Sequence, residues 1–310
     1  MIRYGIAGFG LHAVKRLMPG FAHAKLSTVS ALSRRSPEKA KSAAEQYSIP
    51  HAFLSTEELC QCPDVDAVFV ASPDSFHLRD VLTAVAHKKH VLCEKPMAMN
   101  AEEATQMVNA ARNAGVLLGV AHCFRFEASL HRIRERISAG EIGKVVFARI
   151  EFSYPGLQHQ RTWLTDSSMA AGGPVADVGV HCIDALRFLL EDDPLTVQAM
   201  AHYDEASGEV EAAAIVNLSF VRGTLGTVLV STRAEYRTPL EIVGTNGSLR
   251  ADDALNVEYP IHLKLLRGGQ VVDTEELRNE EVYAKQVDAF SAAIERQSPF
   301  PVPGEEGARN

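Results

Sequence analysis

Residues Gly8-Phe9-Gly10-Leu11-His12-Ala13 fit the pattern G-x-G-x-x-A. They follow the apolar run IRYGIA and open a segment of helical character, Leu11 to Phe21. In isolation the pattern equally fits a plain tight turn. Between a strand and a helix it predicts the first turn of a dinucleotide-binding sheet. Gly8 permits the turn, Gly10 lets a pyrophosphate approach the backbone, and Ala13 keeps the helix close to the strand. The amino end of the helix supplies N–H groups and a positive pole for the phosphates.

The rest of the first half continues in the same alternation. The runs LSTVSALS, VDAVFVAS, HVLCEK and VLLGVAH read as strands, and helical segments separate them. Near-continuous Val, Leu, Ile and Ala suit strands buried on both faces of a parallel sheet. Ser36-Pro37-Glu38 and Asn100 before AEEA are helix starts with a capping side chain and early acids. Beyond about residue 123 strands dominate, and Asn246-Gly247 and Gly268-Gly269 sit between apolar runs as hairpin turns. The expected fold is α/β. Residues 1–122 form an N-terminal Rossmann domain with a doubly wound parallel sheet. Residues 123–310 form an α+β domain with a large, mainly antiparallel open sheet.

The end of the second predicted strand bears on the cofactor. An Asp or Glu about 20 residues past the glycine loop usually takes the ribose 2′-hydroxyl of NAD. Here the sequence is Ser33-Arg34-Arg35. No carboxylate repels a 2′-phosphate, Ser33 can donate to it, and Arg34 can pair with it. NADP is therefore expected over NAD, which stays possible; two merely solvated arginines are the alternative.

The 310-residue chain carries a net charge of −8, which argues against broad nucleic-acid binding but not against one anionic ligand in a local basic pocket. No apolar run reaches the roughly 20 residues that span a bilayer, so no membrane partner is expected. The N-terminus lacks a secretory layout, and five scattered cysteines suit reduced thiols in a cytoplasm. Cys60 and Cys62 form a C-x-C without a second pair, and no metal is expected.

Three further segments fall in order: ASPDSFH from Ala71 to His77, CEKP from Cys93 to Pro96, and GGPVADVGVHCID from Gly172 to Asp184. With the glycine loop and RISAGEIGKV, this order resembles the glucose–fructose oxidoreductase and inositol dehydrogenase family, Gfo/Idh/MocA. The resemblance implies hydride transfer between a nicotinamide and a hydroxyl or carbonyl, often on a sugar or cyclitol. It implies that Ser72, Pro73, Asp74 and His77 lie along the cofactor, with Glu94 and Lys95 beside the nicotinamide ribose and the substrate. Arg125 and Trp163 match family residues near the cofactor. It also implies a homodimer or homotetramer through the C-terminal sheet. Departures are Leu164 after Trp163 where arginine is frequent, Pro174 where a third glycine is frequent, and Asp74 where asparagine is common. A helix that usually returns to the first domain is expected to be missing after PGEEGARN.

Asp177 and His181, four residues apart on a predicted helix, share one face. Reducing a ketone needs a proton on oxygen, and imidazole can transfer one near neutral pH. His181 is the expected proton donor and acceptor. Asp177 would orient it or bind a substrate hydroxyl, and Lys95 would stabilise alkoxide charge. Two alternatives stay open: Lys95 as the acid–base, with its pKa lowered by desolvation, or Asp177 and His181 as a structural pair. His159, in a loop of the kind that closes over sugars, is a candidate substrate contact. Two other readings of the chain are a glycosidase of the same fold using bound NAD, and a non-catalytic cofactor-binding sensor.

Overall fold

The computed structural model describes residues 1–156, 161–296 and 299–310. The chain divides into two compact units, each described by itself. The first holds Met1–His122, Ser168–Ala171 and Tyr283–Asn310. Its strands are β1 (Ile2–Ala7), β2 (Ser27–Ser33), β3 (His51–Phe53), β4 (Ala67–Val70), β5 (His90–Cys93) and β6 (Leu118–Val120). They form one parallel sheet in the order β3-β2-β1-β4-β5-β6, the doubly wound Rossmann order. Central β4 is buried along its whole length, as its run AVFV requires for a strand covered on both faces. The expected helix caps form: Ser36 accepts from Lys39 N, and Asn100 from Glu103 N.

Two elements of this unit escape the sequence reading. β3 has only three residues, too few for a periodic signal, and the helix Thr56–Gln61 that follows it is equally short. The second difference concerns the end of the chain. The sequence reading put everything after residue 122 into the second domain and named no helix beyond QVVDTEEL. Instead, the helix Val282–Arg296 packs in the first unit from Tyr283 onward. Its apolar stripe buries Val287 and Phe290, and Ser291 meets the Tyr4 hydroxyl at 3.0 Å. Asp288 accepts from Leu26 N and the Ser27 hydroxyl at the start of β2. Val120 N then bonds Val302 O beside β6. An amphipathic stripe with a buried polar edge explains the placement.

The second unit holds Cys123–Ser167 and Gly172–Val282. Its strands are β7 (Val145–Ser153), β8 (Pro194–His202), β9 (Ala213–Phe220), β10 (Leu225–Ser231), β11 (Leu240–Gly244), β12 (Gly247–Ala251), β13 (Ile261–Arg267) and β14 (Gln270–Leu277). The order is β14-β13-β12-β11-β7-β10-β9-β8, antiparallel except between β7 and β10. Both expected hairpins form. Gly268 and Gly269, each with positive φ, sit between the paired residues Arg267 and Gln270, a two-residue turn that demands φ above zero. The other loop is Thr245-Asn246, one residue earlier than expected, because Gly247 pairs with Gly244. One face of the sheet carries the helices Ala128–Ser138 and Val180–Leu190.

All five cysteines are buried, and none forms a disulfide. Among the described residues, no helix is long and apolar enough to cross a membrane. One group of metal-ligating types comes together there: His51, Cys62 and Asp64, with ligand atoms within 4.8 Å of one another. Asp64 is already paired with Arg3 at 2.7 Å and His51 at 3.0 Å.

Candidate active site

In the first unit the strand order reverses between β1 and β4, and the crevice outside their carboxyl ends is where a doubly wound sheet takes its ligand. Gly8 turns the chain there with φ 81°, and a Cβ on it would come 2.6 Å from the Ser72 backbone. A Cβ on Gly10 would meet only Gly8 O, at 3.7 Å, so its other side is open. That is the cradle a pyrophosphate needs, and the residues fit a dinucleotide. Phe9 is buried, with its N–H on Ser33 O, and Val14 N reaches back to Gly10 O. Ala13 is fully buried and begins a π-wound turn, Ala13–Leu17, that runs into the helix Met18–His23. At the end of β2, Ser33 is buried, Arg34 is half-buried and Arg35 is exposed.

The loop after β4 carries Ser72, Pro73, Asp74 and His77. The Ser72 hydroxyl donates to Asp80 at 2.7 Å, and Asp74 accepts from Ala171 N at 3.1 Å. His77 is 1% exposed, and its two ring nitrogens lie 2.9 Å from the carbonyl oxygens of Pro96 and Ser72. Burial opposes a charged ring, but neighbouring Cys93, Asp74 and the Ser72 carbonyl push its pKa up to about 10. A doubly protonated ring can donate to both carbonyls at once, so His77 ties the loop after β4 to the loop after β5.

The second loop holds Glu94 and Lys95, followed by a cis Lys95–Pro96 peptide. Glu94 is buried and meets His12 Nε2 at 2.8 Å, while its other oxygen accepts from Lys95 N. Burial alone would raise this carboxyl, but His12 and Lys95 outweigh it and hold the pKa below the usual range. Glu94 thus joins the glycine loop, through His12, to the residue that bears the ammonium group.

In the second unit Asp177 lies in a π-wound turn, Val175–Gly179, marked by Val180 N bonding Val175 O five residues back. His181 opens the regular helix Val180–Leu190. Both are 7% exposed. The His181 ring lies 4.5 Å from the Phe124 ring and 6.4 Å from that of Phe152, between centroids. The Phe124 and Phe152 rings lie 6.2 Å apart, so the three rings form one cluster that restricts the imidazole plane. Asp177 accepts from the Tyr154 hydroxyl at 2.5 Å, with Arg161 at 3.5 Å. Burial and the Asp177 carboxylate push the Tyr154 phenol above its usual range, so it stays the donor of that bond.

Arg125 forms a two-pronged pair with Asp184, at 2.6 and 2.8 Å, and lies over the Phe188 ring. Trp163 sits in the turn Thr162–Thr165, with the Arg161 guanidinium 6.0 Å from its ring. His159 lies outside the described residues. Next to Asp177 is a cavity of about 230 Å³, whose lining includes Tyr154, Arg161, Glu211, Thr232 and Arg233. Sequence reasoning missed Tyr154, Glu211 and Arg233. Their only signal was polarity at strand ends, while the acids and backbone groups that engage them, Asp177, Gly173 and Asp204, stand 23 or more residues away.

Residues 2–122 match the family model described as "Oxidoreductase family, NAD-binding Rossmann fold", and residues 130–250 match the "GFO/IDH/MocA C-terminal domain". A 1,5-anhydro-D-fructose reductase of Ensifer adhaerens is 33% identical over 99% of this chain and 92% of its own. A dTDP-3,4-didehydro-2,6-dideoxy-alpha-D-glucose 3-reductase of Saccharopolyspora spinosa is 29% identical, over 94% of this chain and 87% of its own. Among solved structures, an aldose-aldose oxidoreductase from Caulobacter crescentus, complexed with glycerol, superposes with a TM-score of 0.92. It is 27% identical and covers 99% of this chain and 93% of its own.

Proposed function

Because the chain belongs to the GFO/IDH/MocA family of NAD(P)-dependent oxidoreductases, we propose that it interconverts a hydroxyl and a carbonyl on a small, uncharged sugar and prefers NADP. The observation that carries the substrate is the charge balance of the cavity beside Asp177. Arg233 is locked to Asp204 by bonds of 2.7 and 2.8 Å. Arg161 stands by Asp177, and both Glu211 oxygens accept backbone N–H groups. With its charges matched in this way, the cavity favours hydroxyl groups over a phosphate or carboxylate. A volume of about 230 Å³ suits one sugar ring and is small for a nucleotide-linked one, since drug-sized ligands occupy roughly 300–1,000 Å³.

When bound, the nicotinamide supplies or accepts the hydride. Lys95 offsets negative charge on the reacting oxygen. His181 gives that oxygen a proton in reduction and takes it in oxidation. Asp177, held by the Tyr154 hydroxyl, offers a carboxylate acceptor to a substrate hydroxyl. The NADP preference rests on Arg34 and on the lack of a carboxylate among Ser33, Arg34 and Arg35.

The test is turnover of free neutral ketoses and aldoses, and of their phosphorylated and nucleotide-linked forms, with both cofactors. Free sugars are expected to react best, and NADPH to exceed NADH by about tenfold in kcat/KM, a margin lost in Arg34→Ala. Faster turnover of a nucleotide-linked sugar, or a preference for NADH, overturns the respective half. Release of sugar with no net change in NADPH marks glycosidic cleavage instead.

We also infer a homo-oligomer in a cytoplasmic setting, the latter supported by five buried cysteines that form no disulfide. On the sheet of the second unit, Phe147 pairs with Leu225, and they are 51% and 52% exposed. Met200, at 66%, pairs with Ile215. Apolar residues clustered on one open sheet face suit a second copy of the chain. Light scattering at micromolar concentration is expected to give a multiple of 33.7 kDa, and a monomer removes the inference.

A further inference from the structure

The helix that carries Asp177 and His181 begins without a capping side chain of its own. Pro174 has no N–H, and no Ser, Thr, Asp or Asn stands at the position before the first turn. The cap comes from elsewhere in the chain. Glu211, just ahead of β9, accepts from Gly173 N through Oε2 at 2.9 Å and from Val175 N through Oε1 at 2.8 Å. It is 9% exposed. The backbones approach so closely that a Cβ on Gly173 would overlap the Glu211 carbonyl oxygen. Asp177 N then bonds Gly173 O at 3.0 Å, so the residue fixed by Glu211 is also the acceptor for the residue expected to face substrate.

We infer that Glu211 is a positioning residue for the proposed reaction: its carboxylate sets where the Asp177 and His181 side chains stand, by holding the first turn of their helix to the sheet. The inference rests on the functional reading given above. Three physical points support it. A negative group at a helix amino end is favoured by the dipole. Two charge-assisted bonds to one rigid carboxylate fix the turn in two directions, which a single bond would not. Displacing a reacting group by about 1 Å can cost about 10²-fold in rate. The pattern Gly172-Gly173-Pro174 also acquires a cause. Gly173 is the only residue type small enough for the contact, and proline at 174 costs nothing because the carboxylate binds the N–H groups on either side of it.

The test compares wild type with Glu211→Gln and Glu211→Ala, in the full chain. Gln keeps the shape but offers one acceptor oxygen in place of two. The readout is kcat per cofactor-binding site, with sites counted by NADPH titration well below the melting temperature. A merely structural role lowers Tm and the count of sites but leaves kcat per site unchanged. The inference expects kcat per site to fall about tenfold in Gln and up to about 10²-fold in Ala, with NADPH affinity unchanged. Gly173→Ala, which breaks the same contact from the other side, is expected to match Ala. Wild-type kcat per site in Glu211→Gln and in Gly173→Ala overturns it. His181→Ala, run alongside, separates the two levels: if His181→Ala is inactive while both variants turn over normally, the reaction assignment stands and the role of Glu211 falls. If His181→Ala keeps full turnover, the assignment itself falls.

Discussion

In His181→Ala, kcat is expected to drop about 10²–10⁴-fold while NADPH binds as in wild type. The size of the drop is the contribution of a positioned proton donor. The imidazole is 7% exposed and clusters with the Phe124 and Phe152 rings, so water does not easily replace it in the same geometry. Cofactor binding is the control because the glycine loop belongs to the other compact unit, and the substitution leaves that loop's own contacts in place. Removing the ring also leaves a small void beside Phe124, and voids of this kind cost stability as well as rate. The measurement therefore pairs single-turnover NADPH oxidation with a melting curve, and rate is compared at a temperature where both proteins are folded. His181→Gln separates the effects further: it fills most of the void and restores a polar group, but it cannot shuttle a proton at neutral pH. Stability recovering in Gln while kcat stays low is the expected pattern. Turnover within about threefold of wild type in either variant removes His181 from the proton path.

What the sequence made legible was whatever depends on neighbours close along the chain. The glycine loop, the parallel sheet and the two hairpin regions depend on residue types within a few positions, so Gly8, Gly268 and Gly269 announce themselves. β3 did not, because three residues carry no period. The helix Val282–Arg296 has an amphipathic stripe, but its destination depends on Tyr4 and Ser27, more than 250 residues away. The site follows the same division. Asp177 and His181 are legible as a pair on one helix. Their surroundings are not: Tyr154 reaches Asp177 over 23 positions, and Glu211 reaches Val175 over 36. His77 is a different case. The resemblance places it along the cofactor, and the structure finds its ring enclosed and bonded to two carbonyls, where it shapes the wall of the crevice.

Lys95→Ala is expected to be at least as damaging as His181→Ala, with kcat/KM lower by about 10³-fold or more. The loss has two parts. The first is the charge that offsets alkoxide character on the reacting oxygen, which acts only as the transition state forms and so appears in kcat. The second runs through Glu94. Lys95 helps hold that buried carboxyl below its usual pKa, so removing the ammonium group lets the Glu94 pKa rise. A protonated Glu94 then weakens the contact with His12 at the glycine loop, and NADPH affinity falls as pH is lowered. Lys95→Met keeps most of the side-chain volume and isolates the charge from the packing. The pH dependence of reduction also decides between the two proton donors. A general acid works in its protonated form, so the rate declines as pH rises through its pKa. If the imidazole is the acid, Lys95→Met keeps the wild-type decline at a lower plateau, and His181→Gln loses it. If the ammonium group is the acid, the decline survives in His181→Gln and vanishes in Lys95→Met, and the roles given to Lys95 and His181 must be exchanged.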